Sequence, residues 1–232
     1  MERVEEVAGL AEAAESDSEA TVDVGRERFA NASTAALGLV LGVVGLLQIL
    51  RLAHATGSNL RVFGCAVYGG SLVTLYAAST LYHAVREGRL RTAFRLFDHT
   101  SIYLLIAGSY TPFTLIWLAG RDAWFLFVTV WACAAFGIGF KLAFRYRYET
   151  LSTVFYVLMG WVGVVAIKPL IEVAPIEGLL WTVAGGVLYT VGTIFYVLDD
   201  TPYFHAVWHL FVLGGSACHY AAIAFWVVPF GV

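Results

Sequence analysis

The amino-acid sequence contains few charged residues. Lysine, arginine, aspartate and glutamate together make up 13% of its 232 residues, about half the share of roughly 25% found in soluble domains. Hydrophobic residues make up 59%. This balance excludes an ordinary soluble domain and indicates an integral membrane protein.

Cysteine is also scarce, with one residue in each of three separate apolar runs, Cys65, Cys133 and Cys218. This spacing contains neither a C-x-x-C metal motif nor the pattern of a disulfide framework. We expect all three to be small core residues. The sequence also lacks a basic start followed by an apolar core, so we predict no secretory signal.

Long apolar runs dominate the rest of the chain. A bilayer core about 30 Å thick needs roughly 20 apolar residues per helix. The runs are continuous rather than alternating, and each is about twice the length of a barrel strand, so we predict an all-α membrane protein. Glycines such as Gly38 and Gly42 suit close helix contacts in lipid. The seven predicted spans are 30–50, 62–85, 96–118, 123–144, 151–171, 178–198 and 203–228.

The N-terminal segment differs in kind from these runs. Its first 23 residues hold eight acidic residues and one basic residue, Arg3. We predict an acidic, disordered or loosely helical tail over residues 1–28. A seven-helix transmembrane domain is predicted over residues 29–232.

Basic residues predict the orientation of this domain, because lysine and arginine favour cytoplasmic loops. One side of the predicted topology collects nine, the other four. The N-terminus is therefore predicted to be cytoplasmic and the C-terminus outside. The nine are Arg26, Arg28, Arg86, Arg89, Arg91, Arg95, Lys141, Arg145 and Arg147, and the four are Arg51, Arg61, Arg121 and Lys168.

Four ionisable residues lie within the predicted spans, where such groups are costly and are commonly functional. His83 lies at the end of the second span, Asp98 at the start of the third, and His205 and His209 in the first two turns of the seventh. These three span ends face the cytoplasm in the predicted topology. We therefore expect the four side chains at one depth.

The spacing of these residues suits a metal site. His205 and His209 are four residues apart, so on a helix they project from one face about 6 Å apart. With His83 they offer three nitrogens, which leaves a fourth zinc position open for water, as in catalytic zinc sites. Asp98 can hold or deprotonate that water, and Ser79, one turn deeper than His83, can bond it or orient a ligand.

Each residue also has a structural interpretation when taken alone. Histidines near helix ends are often interfacial or hydrogen-bonded, and Asp98 can cap a helix or pair with its dipole. Haem is a competing use, but bis-histidine ligation needs residues facing each other near helix middles. The shared depth, spacing and ligand types favour the metal site. His219 lies about 15 Å along the axis from His209, so we expect packing or hydrogen bonding there, and we expect His54 and His99 to be interfacial.

The same residues resemble a known family. The stretches YGGSLVTLYAASTLYHAV, FDHTSIYLLIAGSYTPF and TPYFHAVWHLFVLGGSACHY resemble the hemolysin III group of bacterial membrane proteins, which is related to the progestin and adipoQ receptors. The likeness covers nearly the whole chain after the acidic tail. The S-x-x-x-H, the aspartate and the H-x-x-x-H, in this order and spacing, are specific together.

The resemblance implies a seven-helix receptor-like bundle with its N-terminus inside. It implies zinc held by His83, His205 and His209, with Asp98 and Ser79 as second-sphere or water-binding residues. The wider superfamily includes alkaline ceramidases, so a zinc-dependent lipid amide hydrolase in membrane lipid homeostasis is expected. A membrane lipid is the expected partner, and no nucleic acid.

The chain departs from the family pattern at two places. Many relatives carry a histidine after the first-helix N-x-x-T, where this chain has Ala35 after Thr34. Basic residues that commonly precede the last Pro-Tyr are replaced by Asp199 and Asp200, which alters contact with anionic headgroups if that loop meets lipid.

Two other functions remain open on the sequence alone. One is a non-enzymatic receptor or membrane-state regulator in which zinc is structural. The other is a cytolysin, as the family label implies, although seven anchored helices without a predicted secretion signal suit a secreted toxin poorly. We expect the protein to be a multi-pass protein of the inner membrane.

Overall fold

A computed structural model describes residues 2–118 and 121–231, with side chains described for residues 24–118 and 123–231. No strand occurs in these ranges. Most of the predicted tail, residues 1–28, lies outside the described side chains, so the division into tail and domain stays a prediction. The α-helices are α1 (Glu2–Ala55), α2 (Asn59–Ala84), α3 (Arg89–Pro112), α4 (Arg121–Phe144), α5 (Glu149–Gly160), α6 (Ile167–Val173), α7 (Ile176–Val197) and α8 (Phe204–Ala222).

Six helical segments of the described chain are long and apolar enough to cross a membrane. They confirm an all-α, multi-pass membrane protein. The third predicted span, residues 96–118, is not among them, because α3 carries Arg95, Asp98 and His99 in its first half. The six segments are Val24–Ala55, Asn59–Ala84, Ala123–Phe144, Glu149–Val173, Ile176–Val197 and Phe204–Val227.

The helices pack as a closed ring. Consecutive helices from α1 to α5 are neighbours, α5 contacts α7, and α7 packs on α8, which returns to α1. Large apolar side chains point outward all around, as for Phe29, Phe125 and Val165, which are 74%, 65% and 79% exposed. Such an exterior suits lipid and not water.

A glycine sets the contact between α1 and α2. A Cβ atom on Gly38 would lie 2.3 Å from the ring of Tyr76, which is closer than two carbon atoms can approach. The missing side chain therefore lets the Tyr76 ring lie against the α1 backbone. This agrees with the packing role predicted for the Gly38-x-x-x-Gly42 pattern.

The fifth predicted span, residues 151–171, is not one continuous helix. After α5 the chain forms a 3-10 turn, Val162–Ala166, before α6 begins. The Tyr110 hydroxyl of α3 fills the break: it donates to the Gly160 carbonyl at 2.5 Å and accepts from the Gly163 N–H at 2.9 Å. The inserted side chain replaces lost helix hydrogen bonds, which is a common cause of kinks.

Candidate metal centre

Three histidines meet at one end of the helix ring. His83 lies in the last turn of α2, and His205 and His209 lie in the first two turns of α8. Their ring centroids are 4.8 to 5.1 Å apart. One nitrogen from each ring lies within 4.8 Å of the other two, so the group could hold a metal ion.

A hydroxyl on α1 orients His209. The Thr34 Oγ1 lies 2.9 Å from His209 Nδ1, and it also lies within bonding distance of the Ala30 and Asn31 carbonyls. Because the Thr34 hydroxyl donates to a carbonyl, its oxygen can accept the Nδ1 proton. That arrangement leaves His209 Nε2 as the free ligand nitrogen.

His205 and His83 also have a nitrogen available. The His205 Nδ1 lies 3.4 Å from the Asp199 carboxylate, a weak contact of the carboxylate–histidine type found behind metal ligands. The His83 Nε2 is buried and has no hydrogen-bond partner among the described residues. An unpaired buried nitrogen is costly, and a metal ion would satisfy it.

Ser79 and Asp98 lie beside the cluster, as their sequence positions suggested. The Ser79 Oγ is 3.3 Å from His209 Nε2, and the Asp98 side chain interacts with Ser79 and His205. Ser79 and Asp98 are 5% and 8% exposed. The structure therefore gathers a hydroxyl and a carboxylate around the three imidazoles.

Two cavities meet at this cluster. An apolar cavity of about 220 Å³ runs into the bundle and reaches Ser79, Asp98 and His209. A polar cavity of about 350 Å³ opens beside His83 and contains three arginines and three carboxylates. The two cavities share the side chains of His99, Tyr196 and His205, while the charged residues of the polar cavity are Glu27, Arg28, Arg91, Arg95, Glu149 and Asp199.

His99 is buried, although the sequence suggested an interfacial residue. It is 4% exposed, and its Nδ1 lies 3.3 Å from the amino group of Lys141, which is 1% exposed. The Tyr156 hydroxyl donates to the His99 carbonyl at 2.9 Å. The prediction for His99 is therefore wrong, because α4 and α5 cover this face of α3. His54, by contrast, is exposed as expected.

The donor set fits zinc. Three imidazoles are common ligands of catalytic zinc, with Zn–N distances of about 2.0–2.1 Å, which place tetrahedral nitrogens roughly 3.4 Å apart. The 4.8 Å limit here means that the rings would close slightly around an ion. The tautomers set by Thr34 and Asp199 and the unpaired His83 nitrogen agree with this use.

Residues 26–220 match the protein family described as "Haemolysin-III related". The chain belongs to the haemolysin III family. It is 43% identical to "Hemolysin-3" of Bacillus cereus over 204 residues, covering 88% of this chain and 93% of that protein. The "Hemolysin-3 homolog" of Bacillus subtilis (strain 168) is 40% identical over 203 residues, covering 88% and 95%.

A human protein extends the relationship. The "Monocyte to macrophage differentiation factor" of Homo sapiens is 31% identical over 207 residues, covering 85% of this chain and 83% of the human protein. This match supports the relationship to the progestin and adipoQ receptors. The family resemblance read from the three motif stretches is thus confirmed.

Two contacts of this haemolysin III family protein were not anticipated from its sequence. In the sequence, Thr34 stands out only as part of N-x-x-T, and Asp199 stands out only as a departure from the family pattern. The contact of Asp199 could have been predicted, because a carboxylate lies only six residues before His205. Nothing in the α1 sequence indicates which residue of α8 Thr34 faces.

Proposed function

We propose that this haemolysin III family protein is a zinc-dependent membrane hydrolase that cleaves a lipid amide of the ceramide type. The observation that carries the proposal is the position of the three histidines, with Asp98 and Ser79, at the junction of an apolar and a polar cavity. A ceramide-type lipid also combines hydrocarbon chains with a polar region, and its amide bond lies where the two regions meet.

His83, His205 and His209 would hold zinc through one nitrogen each. When bound, zinc polarises a carbonyl and lowers the pKa of a bound water to about 7. With only three histidines as ligands, both effects would be available to a substrate bound beside them. The contacts to Thr34 and Asp199 keep the His209 and His205 rings in the tautomer that binds.

Asp98 would act as the general base. Its carboxylate would accept a proton from the attacking water and pass it to the leaving amine, so that amide and water become a carboxylic acid and an amine. Ser79, which lies between Asp98 and His209, would orient the carbonyl or the water. Both side chains line the apolar cavity, so they can reach a bound lipid.

The cavities fit the two parts of such a lipid. The acyl chain would occupy the apolar cavity, where Ile102, Leu105 and Phe113 line the wall. The headgroup would lie in the polar cavity beside His83 and Tyr196. The amide would then lie at the shared residues, next to the cluster.

We also propose seven membrane crossings with a cytoplasmic N-terminus. At 24 residues, α3 is about 36 Å long, enough to cross, and it packs between α2 and α4. Its polar residues Asp98, His99 and Ser101 are buried inside the bundle, so they lower its hydropathy without facing lipid. A C-terminal alkaline phosphatase fusion should be active and a C-terminal green fluorescent protein dark; the reverse pattern contradicts seven crossings.

Metal and product analysis test the proposed function together. The purified protein should hold one zinc per chain, and His83→Ala and His209→Ala should lose most of it, while His54→Ala, at an exposed position, keeps it. Incubation with ceramide vesicles should release fatty acid and sphingoid base, and mass spectrometry measures both products. Absence of zinc from the parent protein contradicts the proposal.

The two alternative functions give different results in the same experiments. Zinc without any lipid product, together with altered membrane fluidity in a deletion strain, favours a regulator with structural zinc. The names of the two Bacillus relatives suggest lysis. Lysis of red cells by the purified protein, at doses where denatured protein is inert, would favour a cytolysin.

A further inference from the structure

The end of the apolar cavity far from the histidine cluster, called the deep end below, contains a further histidine that the proposed chemistry does not use. His219 lies in the last turn of α8 and lines this cavity. It is ten residues beyond His209, or about 15 Å along the helix. It is 8% exposed, and it does not belong to the histidine cluster.

The His219 ring is held in one orientation. Its Nδ1 lies 2.9 Å from the Gly215 carbonyl, which can only accept, so Nδ1 carries the proton and donates. The ring stacks on Tyr189 with centroids 5.3 Å apart. A Cβ atom on Gly185 would lie 2.3 Å from Nδ1, so α7 closes that edge of the ring. With Nδ1 protonated, Nε2 is the acceptor nitrogen of a side chain that lines the cavity.

The hydroxyl groups around His219 are already paired with each other. Ser216 Oγ lies 3.1 Å from the Tyr76 hydroxyl and 3.0 Å from the Tyr189 hydroxyl. The Tyr68 hydroxyl donates to the Ser216 carbonyl. Among the described residues, His219 Nε2 has no hydrogen-bond donor, whereas the other hydroxyls along this wall donate to backbone carbonyls, as those of Ser109, Thr182, Thr190 and Thr193 do.

An unpaired acceptor nitrogen in an apolar cavity favours a ligand that carries a hydrogen-bond donor. A methylene chain passing His219 leaves Nε2 unpaired, which costs free energy, whereas a hydroxyl on the chain pairs with it. A cationic donor is disfavoured, because Asp98 is the only acidic residue among those that line this cavity and it lies at the cluster end. The fitting partner is a neutral hydroxyl.

We propose that His219 binds a hydroxyl group carried on the acyl chain, about 15 Å from the histidine cluster, and so gives the cavity a preference for hydroxylated chains. This inference rests on the proposed function, because it assumes that the apolar cavity holds the acyl chain. Tyr189 acts as a positioning residue that holds the His219 ring.

Binding of two fatty acids to the full-length protein tests this inference. The probes are stearic acid and a hydroxystearic acid with one mid-chain hydroxyl, measured by displacement of a fluorescent fatty acid from detergent-purified protein. We expect the hydroxylated acid to bind about three- to tenfold more tightly, the range expected for one net hydrogen bond. His219→Phe, which keeps the ring but removes the acceptor, should abolish the preference while stearic acid binds as before.

The possible outcomes separate the two proposals. Equal binding of both acids to the parent protein overturns the role of His219, whether or not the variant folds, and leaves the chain cavity intact. A preference that persists in His219→Phe also overturns it. Binding of neither acid contradicts the chain cavity, and with it both proposals. The variant His54→Phe, at an exposed position, should retain the parent preference.

Discussion

The two ends of α8 use histidine in different ways. At the start of the helix, His205 and His209 have Nδ1 beside Asp199 and Thr34, and their remaining nitrogens converge with that of His83. At the other end, His219 hydrogen-bonds its own helix backbone, and no metal-ligating group of the described residues includes it. Both environments leave one nitrogen available, but only at the start of α8 does a histidine of a second helix complete a group that could hold a metal ion. Substitutions at the start of α8 should therefore affect metal binding and turnover, whereas substitutions near His219 should not affect metal binding.

The largest effect is expected from Asp98→Asn. The substitution keeps the size of the side chain but removes the proton acceptor, so release of lipid product should fall by about 10²- to 10⁴-fold. Zinc content should stay at the parent level, because Asp98 is not a ligand. Product mass spectrometry and metal analysis on the same sample check both; parent-level turnover would contradict the role of Asp98.

The second largest effect is expected on zinc affinity, from the carboxylate beside His205. Asp199→Asn should weaken zinc affinity by about 10- to 100-fold, since it removes the carboxylate beside His205 Nδ1. The adjacent residue provides the control: Asp200→Asn carries the same charge change without a contact to a cluster histidine. Competition with a zinc chelator measures both affinities, and equal affinities would show that the contact does not matter.

A matched pair of glycines tests the deep end. In Gly185→Ala the new methyl group would meet His219 Nδ1 at 2.3 Å, whereas in Gly186→Ala the nearest atom, on Trp161, is 3.7 Å away. Gly185→Ala should therefore lower stability by about 1–3 kcal/mol. Thermal unfolding in detergent should show a lower Tm for Gly185→Ala than for Gly186→Ala; a Tm equal to the parent's would contradict this packing.

The smallest effect is expected at the wall of the polar cavity. Arg95 and Glu149 form an ion pair at 2.8 Å with side chains 38% and 34% exposed. Because water screens such pairs, Arg95→Gln should change stability by at most about 1 kcal/mol. The same Tm measurement checks it, and a shift larger than that of Gly185→Ala would mean that this pair matters more than the deep packing.

The sequence predicted the cluster because its determinants are local. An i, i+4 pair fixes one face of a helix, and the alternating order of the predicted spans brings the span ends with His83 and Asp98 to the same side as the start of the seventh. Contacts between distant helices were not predictable in this way. Thr34 meets His209 and Lys141 meets His99 only through the rotation of α1 on α8 and of α4 on α3, which apolar periodicity does not determine.

The number of membrane-spanning helices is also only partly predictable from the sequence. The length and spacing of the apolar runs predict six of the spans that the structure presents. α3 is not among them, because hydropathy counts Asp98 and His99 equally whether they face lipid or the bundle interior. The burial of both side chains is a tertiary property, and it explains why this helix resembles a span in length but not in hydropathy.

X-ray absorption at the zinc edge tests the central claim most directly. The purified protein should show three imidazole nitrogens at about 2.0–2.1 Å and one further oxygen or nitrogen ligand. In His83→Ala the imidazole signal should weaken together with the zinc content. A sulfur shell at about 2.3 Å, which would implicate Cys65, Cys133 or Cys218, or a protein that holds no zinc, would contradict a three-histidine centre.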